Sequence, residues 1–330
     1  MEKRERLERT LAGEATDRSP VALWRRFPGD ERRAADHAQA IIDFQMQNDW
    51  DVCVIAPPWS FACADYGVNE AWEGNPDGSG VVLKPAIRRS LDWTDLRVPD
   101  PGRGELSTLV TTVRMVCDQL SGMGIPVVVG VLSPLAQAAR LAGSAVMLKH
   151  LRTRQDRFAT GMSILLDGTL RFLDALRKLP LAGLYLHIEH ADLLALSESE
   201  YERYGLPGDA SILTSAPNAW WLRMAYIQGN VPMQGMLPRL GANAIGWDSV
   251  GNDLDLETGK AVWAAGAVFG GLDAEKHLRA GTPASVRDAT REAQRQIGGR
   301  RLLLGCAGPT LLTTPLSNLR ALRLSVERNS

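Results

Sequence analysis

The densest chemistry in the chain lies in LYLHIEHAD, where His187, Glu189 and His190 fall within four positions. Side chains alternate along an extended strand, so His187 and Glu189 share one face while Ile188 and His190 share the other. An imidazole beside a carboxylate suits proton transfer, because each draws the other's pKa toward neutrality. The structural alternative is a hydrogen-bonded histidine beneath a loop, with Glu189 solvated. Asp248 ends ANAIGWD, with Trp247 beside it as a wall for an apolar pocket; the alternative role for Asp248 is to cap the following turn. His187, Glu189 and Asp248 together would make a hard-ligand metal set.

Arg25 and Arg26 end PVALWRR, where alternation sends one inward and one outward. An inward arginine in a nearly neutral protein points to an anionic substrate group, the alternative being a salt bridge to Asp51 or Glu189. His187, Glu189, Arg26 and Asp248 are therefore the expected catalytic set. Arg25 joins them as a carboxylate binder and His190 as a neighbour of the pair. Tyr226, Gln228 and Asn230 supply donors and acceptors that orient a substrate. Trp24, Trp59 and Tyr66, with Asp65, are expected to line the pocket of a flat substrate or to pack a lid. Cys306 is a nucleophile, a metal ligand or a packed thiol.

These residues need a scaffold that gathers strand ends. Apolar runs at 20–26, 51–57, 125–134, 181–190, 222–230, 242–248, 267–273 and 301–309 read as strands, each followed by a helical pattern such as DHAQAIIDFQMQ or SNLRALRLSV. Eight strands alternating with helices predict a single-domain α/β chain folded as a (β/α)8 TIM barrel, with candidate residues at the carboxyl ends of the strands. No GxGxxG opens a helix after the first strand, which argues against a dinucleotide fold. Residues 58–105, rich in Gly, Pro, Asp and Trp and without a period, read as an elaborated loop after strand 2. Residues 191–221 read as a loop with one short helix capped by Ser197 or Ser199.

The 330 residues carry 37 basic and 38 acidic side chains, a formal charge of −1, which offers no surplus of positive charge for nucleic acid or anionic lipid. With 45% hydrophobic and 23% charged residues and no apolar run long enough to span a bilayer, the composition is that of a soluble globular protein. The charged N-terminus lacks a signal-peptide core, so a cytoplasmic location is expected. Four cysteines without clustered spacing imply neither a disulfide framework nor a zinc knuckle.

Six stretches, in order over about 300 residues, resemble the uroporphyrinogen decarboxylase superfamily: ERLERTLAGEATDRSPVALWRRFPGD, VLSPLAQAARLAG, IQGN, ANAIGWD, AVFGGLD with its Gly-Thr-Pro helix start, and GCAGPTLLTTPLSNLRAL. The resemblance implies the same barrel, frequently as a homodimer, and either cofactor-free decarboxylation or zinc-dependent methyl transfer with corrinoid proteins. The family's arginine pattern falls on Arg25 to Asp30, its catalytic aspartate on Pro58, its tyrosine on Arg140 and its late histidine on Cys306. Arg140 thereby joins the substrate-binding candidates. The zinc ligands of the methyltransferases fall on Tyr226, Gln228 and Cys306, so zinc would need His187 or His190 from the preceding strand in place of the first two, the set being His187, Glu189 and Cys306 if a metal is held.

The expectation is a decarboxylase-like lyase acting on a carboxylated small molecule without an organic cofactor, Arg25 or Arg26 binding the carboxylate and His187 with Glu189 moving protons. A corrinoid-linked methyltransferase or demethylase is the alternative, with a non-catalytic barrel binding a tetrapyrrole or corrinoid as a third.

Overall fold

The computed structural model describes residues 1–327. Seven parallel strands form one curled sheet in the order β1 (Cys53–Ile55), β4 (Val127–Leu132), β5 (Gly183–Glu189), β6 (Leu222–Gln228), β7 (Ala244–Trp247), β8 (Ala267–Gly271) and β9 (Leu302–Gly305). Each falls inside a segment expected to be a strand. Two further strands, β2 (Asn69–Ala71) and β3 (Val81–Lys84), pair as an antiparallel hairpin within the stretch expected to be a loop. Helices flank the sheet, including 34–48, 104–120, 155–176 and 283–296. None of the helices of the described residues is long and apolar enough to cross a membrane.

The expected first strand, 20–26, contributes only a bridge at Val21, preceded by Pro20, which has no N–H to give. That bridge nevertheless spans the gap between β9 and β1. Val21 pairs with Leu304 in parallel, Ala22 N donates to Leu304 O and Leu304 N to Pro20 O, while Asp51 N donates to Val21 O at 2.8 Å. Beyond the bridge, Thr310 N donates to Trp24 O at 2.8 Å and carries the contact up to the mouth.

Asp51 anchors this closure. Its side chain is fully buried and accepts hydrogen bonds from Val21 N, from Arg6 at 2.6 Å and from Arg18 at 2.7 Å. Arg6 also holds Asp17, whose carboxyl is kept well below the usual carboxylate range, first by that hydrogen bond. The Asp-Arg turn at 17–18 therefore staples the floor of the barrel to the N-terminal helix Lys3–Ala12.

Alternation sorts the core into two clusters. Inward side chains, among them Trp24, Val54, Val128, Tyr185, Met224, Phe269 and Leu303, fill the interior; outward ones, such as Ile55, Val129, Leu186 and Ile245, pack under the helices. In the segment after β5, Ser197 caps helix Glu198–Tyr204 with a reciprocal bond to Glu200, as expected, and a second helix, Leu206–Thr214, follows. On that second helix Asp209 is buried at 1% exposure, with Tyr201 donating to it at 2.7 Å and its other oxygen unpartnered.

Two outcomes are expected. Asp51→Asn takes the buried carboxylate from Arg18 and leaves Arg6 with Asp17 as its remaining acid, and lowers the unfolding free energy by about 3–5 kcal/mol, measured by urea denaturation; a change under about 1 kcal/mol would contradict the anchoring role. Burial pushes the Asp209 carboxyl up to about 7. Between roughly pH 4 and that value the folded chain keeps a proton the unfolded chain has lost, so this group's contribution to stability falls as pH rises. Asp209→Asn should therefore gain stability over the parent on going from pH 4 to pH 8, by on the order of a few kcal/mol; equal pH profiles would refute the assignment.

Candidate active site

The carboxyl ends of the strands hold two cavities separated by a polar wall. The smaller, with about 10 Å³ free, is a slot between Trp24, Pro57, Pro58, Trp59 and Tyr185, with Arg26 and His187 at its edge. That volume is room for about one water. The larger, about 210 Å³ and open to solvent, is lined by Asp77, Tyr226, Gln228, Asp248, Asp273 and Cys306. Two pairs form the wall: Arg26 with Asp77, and His187 with Gln228.

Alternation delivers His187 and Glu189 to the inner face as expected, with Tyr185 below them. Pairing of β5 with β6 sets His187 opposite Tyr226 and Glu189 opposite Gln228. His187 is 4% exposed, its ring lies 5.0 Å from that of Tyr226, and its Nε2 is 2.6 Å from Gln228 Oε1. Glu189 Oε1 lies 3.8 Å from the same nitrogen. Two acceptors facing Nε2 place the proton there and leave Nδ1 as the basic nitrogen.

The expected mutual tuning of His187 and Glu189 toward neutrality does not occur. Burial lowers His187 to about 4, so it is neutral at pH 7. Glu189 is brought down to about 2, because the buried Arg140 guanidinium outweighs its own desolvation. Arg140 grips both Glu189 oxygens, Nη1 to Oε2 at 2.8 Å and Nη2 to Oε1, while its guanidinium lies 4.3 Å from the Trp59 ring centroid. It reaches there from helix Pro134–Ala142, whose start is set by Ser133 accepting from Ala136 N and by Pro134 at the first position. Arg140 is thus already paired with an acid and is a poor anchor for a substrate anion. Glu189, ionised and bound through both oxygens, is a poor proton carrier.

Arg26 contrasts with Arg140. It is 5% exposed and points inward over the Trp24 ring, and among the described residues only its Nη1 has partners, Asp77 O at 3.2 Å and Asp77 Oδ2 at 3.3 Å. Burial lowers its pKa despite that partner, a sign of a charge short of compensation. The expected inward and outward arginines are confirmed in geometry, but the ion pair is with Asp77 rather than Asp51 or Glu189.

Other expected residues divide. Trp24, Trp59, Tyr226, Gln228, Asp248 and Cys306 line the two cavities. Asp248 also caps its turn, accepting from Val250 N and Gly251 N, the structural role expected as its alternative. Arg25 does not belong: it turns outward onto Phe27 and Phe44. Trp247 also faces outward, donating to Leu254 O beneath the loop after β7. Asp65 caps helix Gly104–Leu120 through Glu105 N and Leu106 N, and Tyr66 packs against helix 155–176. His190, at φ 70°, and the exposed Asn230 line neither cavity; Asn230 is tied through its backbone N–H to Asp192.

Three lining residues with polar side chains were not foreseen. Tyr185 stands two places before His187 and donates to Ala307 O at 2.9 Å, and Asp273, the last residue of the segment 267–273 expected as a strand, lies two places past β8 and caps the turn that follows; alternation and the end of the expected strand would have found both. Asp77 sits in the turn of the β2–β3 hairpin, where no periodic signal exists.

A thiolate-rich metal site does not fit these residues. Cys306 is 2% exposed and burial pushes its thiol well above the ordinary range, with Asp248 and Asp273 adding to the shift. The nearby donors are carboxylates and a phenol rather than thiols or imidazoles. Among the described residues no three His, Cys, Asp or Glu are grouped to hold a metal, including the expected His187, Glu189 and Cys306.

A family model described as uroporphyrinogen decarboxylase (URO-D) matches residues 74–328. Among solved structures the chain is similar to a methyltransferase from Methanosarcina mazei, at 16% identity, with 98% of each chain covered and a TM-score of 0.85. It is also similar to a B12-independent methionine synthase from Shewanella sp. W3-18-1 in complex with selenomethionine, at 10% identity over 93% of this chain and 94% of that one, with a TM-score of 0.54. At such identities the likeness establishes a shared fold. No curated protein matches the chain by sequence.

The Arg140–Glu189 pair makes a measurable prediction. Glu189→Gln leaves Arg140 buried and unpaired, and should cost about 3–5 kcal/mol in urea unfolding. Adding Arg140→Met should restore most of it, since no charge then remains uncompensated. If the double variant were as unstable as the single one, the loss would come from packing instead.

Proposed function

The chain belongs to the uroporphyrinogen decarboxylase family, and from that premise we propose that it is a methyl-transfer enzyme acting on a small molecule with a single anionic group. The observation that carries this reading is the under-compensated, inward Arg26 in a mouth otherwise dominated by acid. Asp77, Asp248 and Asp273 line the open cavity, while Arg140 is cancelled by Glu189. One guanidinium can hold one carboxylate or similar anion. A substrate with many carboxylates would meet like charge on the opposite wall. Methyl transfer is supported further by the likeness over both whole chains to a methyltransferase, a likeness of fold.

In this reading the anionic group docks on Arg26, and the apolar body lies between Trp24, Trp59 and the Pro57–Pro58 turn. The bond from the methyl carbon to its heteroatom breaks, the methyl group passes to a nucleophilic acceptor, and the heteroatom keeps the bonding pair and takes a proton from water in the open cavity. Burial raises Tyr226 above the ordinary tyrosine range, so its phenol keeps its proton as a hydrogen-bond donor for the leaving heteroatom at pH 7, while neutral His187, its one proton turned to Gln228, offers Nδ1 as an uncharged acceptor. Gln228 holds the His187 ring in one tautomer. A corrinoid carried by a partner protein is the acceptor that the family suggests.

Decarboxylation of a monocarboxylate is the second reading. The apolar slot beside Arg26 favours it, since a carboxylate held there is stripped of water.

The experiment supplies 4-methoxybenzoate and N-methylated amino acids as donors, with cob(I)alamin as acceptor, and follows methylcobalamin by absorbance; released carbon dioxide and turnover of uroporphyrinogen are measured in parallel. Methyl transfer is expected, with kcat/KM falling on the order of 100-fold in Arg26→Gln. Uroporphyrinogen turnover, or activity indifferent to Arg26→Gln, would overturn the reading.

A further inference from the structure

The wall between the two cavities is held partly by a residue from outside the barrel. Asp77 sits in the hairpin turn 75–79, closed by Gly78 N to Asn75 O and Asn75 Nδ2 to Ser79 O. Its Oδ1 is committed to that turn, accepting from Ser79 N and Ser79 Oγ, while Oδ2 reaches Arg26. Gly78, at φ 74°, lies so close that a Cβ there would stand 2.8 Å from Arg26 Cβ. The turn therefore rests its backbone on Arg26 and offers it a carboxylate. A further tie, Leu312 N to Pro76 O at 2.7 Å, joins the turn to the segment after β9.

The two ion pairs at the mouth are built differently. Arg140 and Glu189 are both deeply placed, side chains 10% and 12% exposed, and bound through two nitrogens and two oxygens. Arg26 is as deep, but the Asp77 side chain is 38% exposed and offers one carboxylate oxygen at 3.3 Å, to the same nitrogen that the Asp77 backbone oxygen meets at 3.2 Å. Contacts to one guanidinium nitrogen from a surface turn are the more easily exchanged. Arg26 lines the small slot and Asp77 the large cavity, so parting this pair removes part of what divides them.

We infer that the Asp77 carboxylate is a built-in occupant of the substrate's anion site: an incoming monocarboxylate takes Arg26 from Asp77, releases the turn 75–79 and joins the two cavities into one. This rests on the reading of Arg26 as the anion anchor. It assigns the hairpin as a lid that is latched in the empty enzyme by its own carboxylate, and it explains how a slot with room for about one water admits a substrate. The chemical class it selects is a monocarboxylate with a flat apolar body, matching the aromatic and proline walls of the slot.

The test uses the full chain and benzoate, a carboxylate of that shape with no methyl group to transfer. Calorimetric titration should give benzoate affinity on the order of tenfold tighter for Asp77→Asn than for the parent, since a charge-assisted competitor has been removed. Asp77→Ser, which keeps an oxygen for the Ser79 amide, should tighten binding likewise and guards against collapse of the turn. In the unmodified chain benzoate should speed hydrogen exchange across residues 72–80, a readout independent of any variant. Unchanged or weaker affinity in both variants, no measurable benzoate binding to Asp77→Asn, or unaltered exchange at 72–80 overturns the latch. Adding Arg26→Gln to Asp77→Asn separates the two levels. Binding lost there with no gain from Asp77→Asn alone sinks the latch and keeps the anchor, whereas binding retained sinks both.

Discussion

The barrel mouth depends on a carboxylate at its floor. Asp51 is the group that closes the sheet: it receives the Val21 amide and two guanidiniums, and its own amide returns a bond to Val21. The segment it holds is too short and too interrupted by Pro20 to zip into the sheet by a ladder of its own. A buried, fully hydrogen-bonded ion cluster does that work instead, at a desolvation cost that only this geometry offsets. Five residues beyond Val21 stands Arg26, so the position of the site's one under-compensated cation is set by the floor as much as by the mouth.

At the mouth the same electrostatic rule has two outcomes. Where acid and base are both buried and bidentate, as in Arg140 and Glu189, the charges satisfy one another and the pair becomes structure. Where one member is buried and the other lies on a surface turn, as in Arg26 and Asp77, the buried member keeps an unmet demand for an anion. Burial of His187 then keeps its imidazole neutral between these pairs, a donor and acceptor without charge. The chain shares the family's scaffold, and a shared scaffold does not carry an activity with it, which is why fold and activity have to be argued separately.

The sites legible from sequence were those governed by local periodicity. Alternation within LYLHIE placed His187 and Glu189 on one inner face, and alternation within LWRR separated Arg25 from Arg26, because the period of two is a property of the strand itself. The same rule reaches Tyr185 and Asp273, although neither was singled out. It failed for Trp247, an outward residue, and for Asp65 and Tyr66, because a loop without a period gives no face to read.

The sequence by itself therefore determined the succession of strands and helices, the family and the face on which most site residues lie. The tertiary structure decided which charges meet. Arg140 and Glu189 are 49 positions apart, and Arg26 and Asp77 are 51 apart. Residues so distant in sequence meet only when helix, strand and hairpin have packed. The pKa of a group depends on burial and on the nearest opposite charge, both set through space. That is why the expected proton-transferring pair became an ion pair and a neutral imidazole, and why a turn with no periodic signal supplied the partner of the residue most suited to bind substrate.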